Sequence, residues 1–272
     1  MIRGFRLFTL VMLSPLAVFG LAVAAAPNKS VLWNSGTCPY AQRAWIALVE
    51  KGIHFETQTV DLKTKGPAFE SLYRRANPNP LMSSKVPVLV VDDTHVFTES
   101  SVVCEAIEEL WPDAPALLPL DLQARARVRA FSSVVYDSVF GGDRSAYKMA
   151  MRKLDSPATW DEQEERRRLC ESLAALDTSL TGPGPFLLGS QFSLAECMTA
   201  PFCQRADAVL SHFCGVTIVD VCQEHGYDRA GALWKAVLER ESVVTTGVSP
   251  EEAVDGAKRV FDMMRHGKMS KP

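Results

Sequence analysis

The sequence predicts a small α/β unit followed by an all-helical unit. Residues 31–110 alternate between short apolar strands and amphipathic helices, in the order β-α-β-α-β-β-α. The segment 111–121 contains three prolines and interrupts this pattern, so we expect a linker there. Beyond it, up to residue 266, the apolar residues recur at helical spacing, apart from a short apolar stretch at 216–221 that also fits a strand. We therefore expect one domain at 31–110 and a second at 122–266.

The elements of the α/β unit follow from local signals taken in chain order. The first helix begins at Pro39 and ends before Gly52, and alternating residues after it favour a second strand. The Asn77–Pro80 run ends a second helix, and the segment 92–94 predicts a tight turn between two strands. The expected strands are 31–34, 54–62, 86–91 and 95–97, and the expected helices are 39–51, 67–75 and 99–110. The second unit is expected to contain helices at 121–140, 144–153, 158–180, 193–211, 227–241 and 250–266.

The composition excludes several classes of protein. With 47% hydrophobic residues, 22% charged residues and a net charge of −3, the chain is too apolar and too balanced to be disordered. It also lacks the basic excess of a nucleic-acid-binding domain, so we expect no nucleic-acid partner. The seven cysteines form no Cys-x-x-Cys pair and the five histidines no His-Glu-x-x-His motif, so no metal site is expected.

Residues 1–26 differ from the rest of the chain. Arg3 and Arg6 precede the uncharged stretch 7–26, which ends in small residues typical of a cleavage site. A basic region, an apolar region and a small-residue exit predict a secretory signal peptide. The stretch is also long enough to span a bilayer, so a retained anchor and the first half of a plastid address stay open as alternatives. We expect the secretory pathway or an organelle, with a cytoplasmic or membrane-anchored protein as the alternative.

Cys38 is the first candidate for chemistry. It follows the first strand and precedes Pro39, which suits the first position of a helix, so Cys38 is predicted to be the helix N-cap. Backbone N–H groups and the positive end of the helix dipole would face its sulfur, and we expect them to lower the thiol pKa. Residue 41 is Ala41 rather than a second cysteine, so a disulfide made at Cys38 must be mixed, with an external thiol. The other six cysteines are expected to be buried core residues.

Two further segments contain candidate binding residues. A cis bond before Pro87, at the start of the third strand, would leave the Val86 backbone free to pair with an extended peptide-like ligand. Glu99 and Ser100 lie where the last helix of the α/β unit begins, and helix N-termini bind anions. Each has a simpler alternative. Pro87 fits an ordinary trans proline, and the second segment fits a plain helix cap made by Thr98.

The segment 38–43 (CPYAQR), the pair Val86-Pro87 and the pair Glu99-Ser100, in this order and spacing, resemble the glutathione transferase family. The match is to its cysteine-containing omega and lambda classes, with dehydroascorbate reductases as near relatives. It covers residues 31–265. The resemblance implies the glutathione transferase architecture, which is a thioredoxin-like N-terminal α/β domain plus an all-α C-terminal domain. It leaves open whether the protein is a monomer or a homodimer.

The resemblance also implies roles for single residues near the thiol. It places glutathione in a mixed disulfide with Cys38, beside Pro39 and Tyr40. It pairs the backbone of Val86, before a cis Pro87, with the cysteinyl part of glutathione.

Other residues are matched to the two ends of glutathione. Glu99 takes the ammonium of the γ-glutamyl end, and Ser100 with the helix N-terminus takes its carboxylate. Lys65 reaches the glycyl end. Residues 193–196 (SLAE) form a capping box that resembles the structural motif at the start of the family's core helix.

The function implied is that of a glutathione-dependent thiol transferase or reductase. The Cys38 thiolate would attack a small-molecule or protein mixed disulfide, or reduce dehydroascorbate, and glutathione would resolve the enzyme disulfide. Conjugation to electrophiles is expected to be weak. Two alternatives stay open: a non-catalytic protein that binds glutathione or an apolar ligand, and a membrane-associated, channel-like relative. Contact with a membrane is expected only if the leader is retained.

Overall fold

A four-stranded sheet forms the first part of the fold, between residues 30 and 98. The structure is a computed structural model that describes residues 27–136, 139, 142, 144–180 and 182–266, so the predicted leader at 1–26 lies outside the described residues. The strands are β1 (Ser30–Asn34), β2 (Glu56–Thr59), β3 (Val88–Val91) and β4 (His95–Thr98). Their order in the sheet is β2-β1-β3-β4. β2 is parallel to β1, and β3 is antiparallel to both β1 and β4.

Both faces of this sheet are covered. Leu89 and Val91 of β3 join the core formed with the helices on one face, whereas Val88 and Val90 pack with Phe69 on the other. This explains why all four residues of β3 are buried and apolar rather than alternating. β2 is shorter than the predicted 54–62, and all of its residues are exposed, because it lies at the edge of the sheet. β3 begins two residues later than predicted, after Pro87.

Three helices pack on the sheet: α1 (Pro39–Glu50), α2 (Pro67–Ala76) and α3 (Ser100–Leu110). The predicted start of α3 is wrong by one residue. Glu99 is the N-cap, with a left-handed φ of 67°, and Thr98 is the last residue of β4 instead of a cap. The chain therefore turns sharply at Glu99 before α3 begins.

The helical part of the chain follows, as predicted. Its helices are α4 (Leu122–Tyr136), α5 (Ala146–Asp155), α6 (Glu162–Ser179), α7 (Leu194–Cys214), α8 (Ile218–His225), α9 (Asp228–Glu239), α10 (Glu241–Thr246) and α11 (Pro250–Arg265). The apolar stretch at 216–221, whose sequence also fits a strand, contains the start of α8 instead. Thr217 and Asp220 form a capping box there, and Gly226 ends the helix in a left-handed conformation. Cysteines 104, 170, 197, 203 and 222 are buried as expected, whereas Cys214 is only partly buried.

The two parts share one hydrophobic core. Leu32, Ile46 and Ile107 of the α/β part belong to the same buried cluster as Leu173 and Trp234 of the helical part. Among the described residues, no helix is both long enough and apolar enough to cross a membrane. An α/β domain with a four-stranded sheet followed by a helical domain is thus the observed fold, and the predicted fold class is confirmed.

Candidate functional site

Cys38 lies at the N-terminus of α1, next to the sheet. It is the N-cap residue, with extended backbone, and Pro39 occupies the first turn of the helix. The Cys38 N–H donates to the Ser35 carbonyl at 2.9 Å, and its carbonyl accepts the Gln42 N–H at 3.1 Å. Its partly buried side chain packs against the apolar cluster that contains Val86. The fold therefore brings the predicted thiol and the predicted backbone-pairing residue together.

The predicted fall in the pKa of Cys38 is wrong for this structure. Burial raises the pKa of the thiol, and this outweighs the backbone N–H groups of Ala41 and Tyr40 and the positive charges of Arg205 and Arg43, which all lower it. The sulfur also makes no capping hydrogen bond to the helix. The helix N-terminus could be predicted from the sequence, but the desolvation of the sulfur depends on tertiary packing.

Gln42 and Arg43 turn away from solvent and contact α7. Arg43 Nε donates to the Met198 carbonyl at 2.7 Å, and Gln42 Nε2 lies 3.4 Å from the side-chain oxygens of both Gln204 and Thr246. The Arg43 guanidinium also lies over the rings of Tyr40 and Phe202, 5.1 Å and 4.8 Å from their centroids. Arg43 thus packs on Tyr40, which lies two residues after Cys38.

Arg205 of α7 reaches back to the loop that carries Cys38. One of its terminal nitrogens donates to Gln42 Oε1 at 2.6 Å and to the Pro201 carbonyl at 2.8 Å. The other donates to the Thr37 carbonyl at 3.3 Å. The helical domain thus supplies a charged group to the residue immediately before Cys38.

The segment before β3 holds two of the predicted binding residues. The Val86–Pro87 peptide bond is cis, as the resemblance implies, and Val86 is buried. Among the described residues, neither the N–H nor the carbonyl of Val86 has a hydrogen-bond partner. Lys65 Nζ donates to the carbonyl of Ser84, which lies two residues before Val86, at 2.6 Å. Ser84 Oγ in turn donates to Glu70 at 2.5 Å. Lys65 therefore lies near this segment.

The start of α3 holds two more predicted binding residues, Glu99 and Ser100. Glu99 is exposed and accepts a hydrogen bond from Tyr73 Oη at 3.3 Å, and that hydroxyl accepts one from Asn77 at 3.2 Å. Ser100 Oγ accepts a hydrogen bond from Arg43 Nη1 at 3.2 Å. Arg43 thus connects the predicted γ-glutamyl end of the site to α1.

Comparison with known proteins agrees with this geometry. The family model for the glutathione S-transferase N-terminal domain matches residues 37–110, and the model for the C-terminal domain of the same family matches residues 158–239. The chain belongs to the glutathione transferase family. Glutathione is the co-substrate of this family.

Relatives of several types resemble this glutathione transferase. Glutathione S-transferase U28 of Arabidopsis thaliana is 31% identical over 80% of this chain and 88% of its own length. The chloroplastic glutathione S-transferase DHAR3 of the same plant is 25% identical over 89% of this chain and 80% of its own. The crystal structure of glutathione transferase Omega 3C from Trametes versicolor superposes with a TM-score of 0.64 at 28% identity, covering 88% of this chain and 94% of that one. Since U-type relatives match as well as omega and DHAR ones, the predicted class stays a prediction.

Several side chains near the thiol had no assigned role in the sequence analysis. Gln42 and Arg43 belong to the motif at 38–43, but their contacts with α7 depend on how the two domains pack. Arg205 and Tyr73 carried no signal at all, because a single arginine or tyrosine in a helix is ordinary. Within the part of the chain that the structure describes, no group of three metal-ligating side chains occurs.

Proposed function

We propose that this glutathione transferase is a thiol transferase or reductase that acts through a mixed disulfide between Cys38 and glutathione. The observation that supports this proposal is the position of Cys38 as N-cap of α1, directly before Pro39, in the segment that the family model matches. A thiol there can become a nucleophile. The nearest aliphatic hydroxyls in sequence, those of Ser35 and Thr37, lie 3.4 Å from each other.

The proposed reaction has two steps. The Cys38 thiolate attacks the glutathione sulfur of a mixed disulfide, a new S–S bond forms to Cys38, and the substrate leaves as a thiolate that takes up a proton. A second glutathione, as its thiolate, then attacks the enzyme disulfide, which releases oxidised glutathione and restores the Cys38 thiolate. With dehydroascorbate, two glutathione molecules supply the two electrons and the two protons of ascorbate.

The proposed glutathione site combines complementary groups. The unpaired Val86 backbone can bond the cysteinyl amide, and Glu99 can bind the ammonium of the γ-glutamyl end. Ser100 Oγ accepts from Arg43, so its own proton is free to donate to the γ-glutamyl carboxylate. Lys65 uses one donor on Ser84, and its ammonium has two more for the glycyl carboxylate.

The proposed compartment is one that contains glutathione. A chloroplastic relative supports the plastid reading of the leader, although the predicted leader lies outside the described residues. We propose that the leader is removed to give the working protein. Sequencing the N-terminus of the protein purified from its own cells tests this, and a chain that still begins near Met1 would refute removal.

The experiment that tests the reaction compares Cys38→Ser with Cys214→Ser. Cys214 is a partly buried free cysteine at the end of α7, so it is a matched control for the loss of one thiol. We expect Cys38→Ser to lose reduction of a glutathionylated peptide and of dehydroascorbate, while Cys214→Ser retains both. Mass spectrometry after incubation with oxidised glutathione should locate the adduct on Cys38.

The same experiment separates the alternatives. Unchanged reduction by Cys38→Ser would refute the mechanism. Glutathione binding without any turnover by the unmodified protein would favour the non-catalytic alternative. Rapid conjugation of a chloronitrobenzene by the unmodified protein that survives in Cys38→Ala, which adds no hydroxyl at this position, would indicate a hydroxyl-dependent transferase instead.

A further inference from the structure

Two buried guanidinium groups flank Cys38. Arg43 of α1 is 8% exposed and Arg205 of α7 is 5% exposed. Within the described part of the chain no carboxylate lies at salt-bridge distance from either, and their hydrogen-bond acceptors are neutral carbonyl, amide and hydroxyl oxygens. Burying a cation without a paired anion is unfavourable, so neither arginine gains stability from an ion pair at this place.

The groups around these two arginines supply little negative charge. Arg205 faces Tyr147 of α5 and Glu252 of α11, and Arg43 faces Tyr40, Cys104 and Tyr136 of α4. Burial raises the pKa of Tyr147 and brings that of Cys104 to about 12, so both are neutral at pH 7. Glu252 is the single carboxyl group among them, and it accepts the Ser249 N–H at the start of α11. Both positive charges lower the pKa of Cys38, so its thiolate is an anion that they stabilise.

Arg205 has a geometry that Arg43 lacks. Through the Thr37 carbonyl and Gln42 Oε1 it holds the residue before Cys38 and the residue one turn after it. Because it extends from α7, this contact exists only when the helical domain is docked on α1. One side chain thus fixes the loop on which the sulfur lies and places a positive charge beside it.

We propose that Arg205 is a positioning residue for Cys38, which aligns the thiol loop on α1 and stabilises the thiolate that the reaction requires. This inference rests on the proposed function, since it assigns a thiolate to Cys38. It makes the reactivity of the thiol depend on the docked helical domain.

The test measures Cys38 alkylation by iodoacetamide as a function of pH, followed by mass spectrometry of the Cys38 peptide. In Arg205→Gln the midpoint of the pH profile should move up. Loss of one nearby cation reduces the thiolate at pH 7 about tenfold. The more basic thiolate is a better nucleophile by about threefold, so the net rate at pH 7 should fall about threefold. Arg205→Lys keeps the charge and should move the midpoint back toward that of the unmodified protein.

Arg240→Gln is the matched control. Arg240 also joins the two domains, through Glu50, but has no contact with Cys38. The Arg240→Gln variant should have a lower melting temperature but an unchanged midpoint of the Cys38 alkylation profile. An unmoved midpoint in folded Arg205→Gln, an equal shift in Arg240→Gln, or no recovery in Arg205→Lys would each overturn the proposal.

A second variant keeps the proposal testable if Arg205→Gln cannot be measured. If Arg205→Gln does not fold, Gln42→Leu removes the acceptor of the 2.6 Å bond but keeps the charge. It should shift the midpoint in the same direction by less, and no shift would refute the positioning role. Alkylation needs no glutathione, so failure of the proposed function, seen as unchanged reduction by Cys38→Ser, is distinguishable from failure of this inference.

Discussion

Removing the ammonium of Lys51 is expected to destabilise the protein markedly. The Lys51 side chain is 1% exposed, and its Nζ lies 2.8 Å from Glu108 Oε2 and 3.1 Å from the Pro115 carbonyl. The same carboxylate accepts the backbone N–H groups of Leu117 and Leu118. This buried pair therefore ties α1 and α3 to the segment that leads into the helical domain.

The magnitude follows from what Lys51→Met leaves behind. Breaking a buried ion pair from one side costs about 3–5 kcal/mol, because the remaining charge stays buried. Glu108 keeps its two N–H donors, so we expect the lower end, about 3 kcal/mol. At about 2–4 °C per kcal/mol for a chain of this size, the melting temperature should fall by about 6–12 °C. Circular dichroism during heating, with urea unfolding as a second measure, tests this.

A double variant supplies the control. In Lys51→Met with Glu108→Gln, no charge is buried, and the amide oxygen of the new side chain still accepts the two N–H groups. Most of the lost stability should return. A single variant within about 1 kcal/mol of the unmodified protein, or a double variant no more stable than the single one, would refute the reasoning.

Three further predictions concern the glutathione site and the core. Glu99→Gln should raise KM for glutathione about tenfold in steady-state assays with little change in kcat, because it weakens a charged hydrogen bond to bound glutathione. Ser193→Ala removes the N-cap of α7 and should lower the free energy of unfolding by about 1 kcal/mol in urea titrations, whereas no loss would contradict a stabilising role for the buried capping box. Burial raises the pKa of Cys104 to about 12, which is above the pKa of the same thiol in the unfolded chain. The contribution of Cys104 to stability is therefore full below the unfolded pKa and is lost as the pH rises toward 12. The melting temperature should therefore fall above about pH 9, less steeply in Cys104→Ala than in the unmodified protein, and equal slopes would refute this.

The parts of the fold that could be predicted from the sequence are those with local signals. The apolar spacing of α1, with Pro39 at its start, and the turn at 92–94 both predicted their elements, since each depends on a few neighbouring residues. The left-handed turn at Glu99 and the helix at 218–225 were missed. In the second case the apolar residues of a short helix gave the same pattern as a buried strand.

The candidate site also combines features that could be predicted from the sequence with one that could not. The positions of Cys38 and of the cis Pro87 follow from motif and resemblance, and the structure places both at the sheet. The direction of the pKa shift at Cys38 could not be predicted, because it depends on burial and on Arg205, which lies 167 residues further along the chain. Contacts of such sequence separation leave no local pattern.

α1 connects these observations. Its N-cap is the thiol, its middle residues Gln42 and Arg43 contact α7, and Glu50 at its end pairs with Arg240. Docking of the helical domain brings Arg205 to Cys38, and this positive charge lowers the pKa of the thiol. Burial, to which the α/β cluster that contains Val86 contributes, raises it. Burial is the larger effect, so the pKa of the docked thiol lies above its ordinary value. Undocking would separate Arg205 from Thr37 and Gln42, so the loop that carries Cys38 would lose this support. The docked structure thus favours placement of the sulfur over its ionisation, which suits a reaction in which a bound disulfide must lie in line with the attacking thiolate.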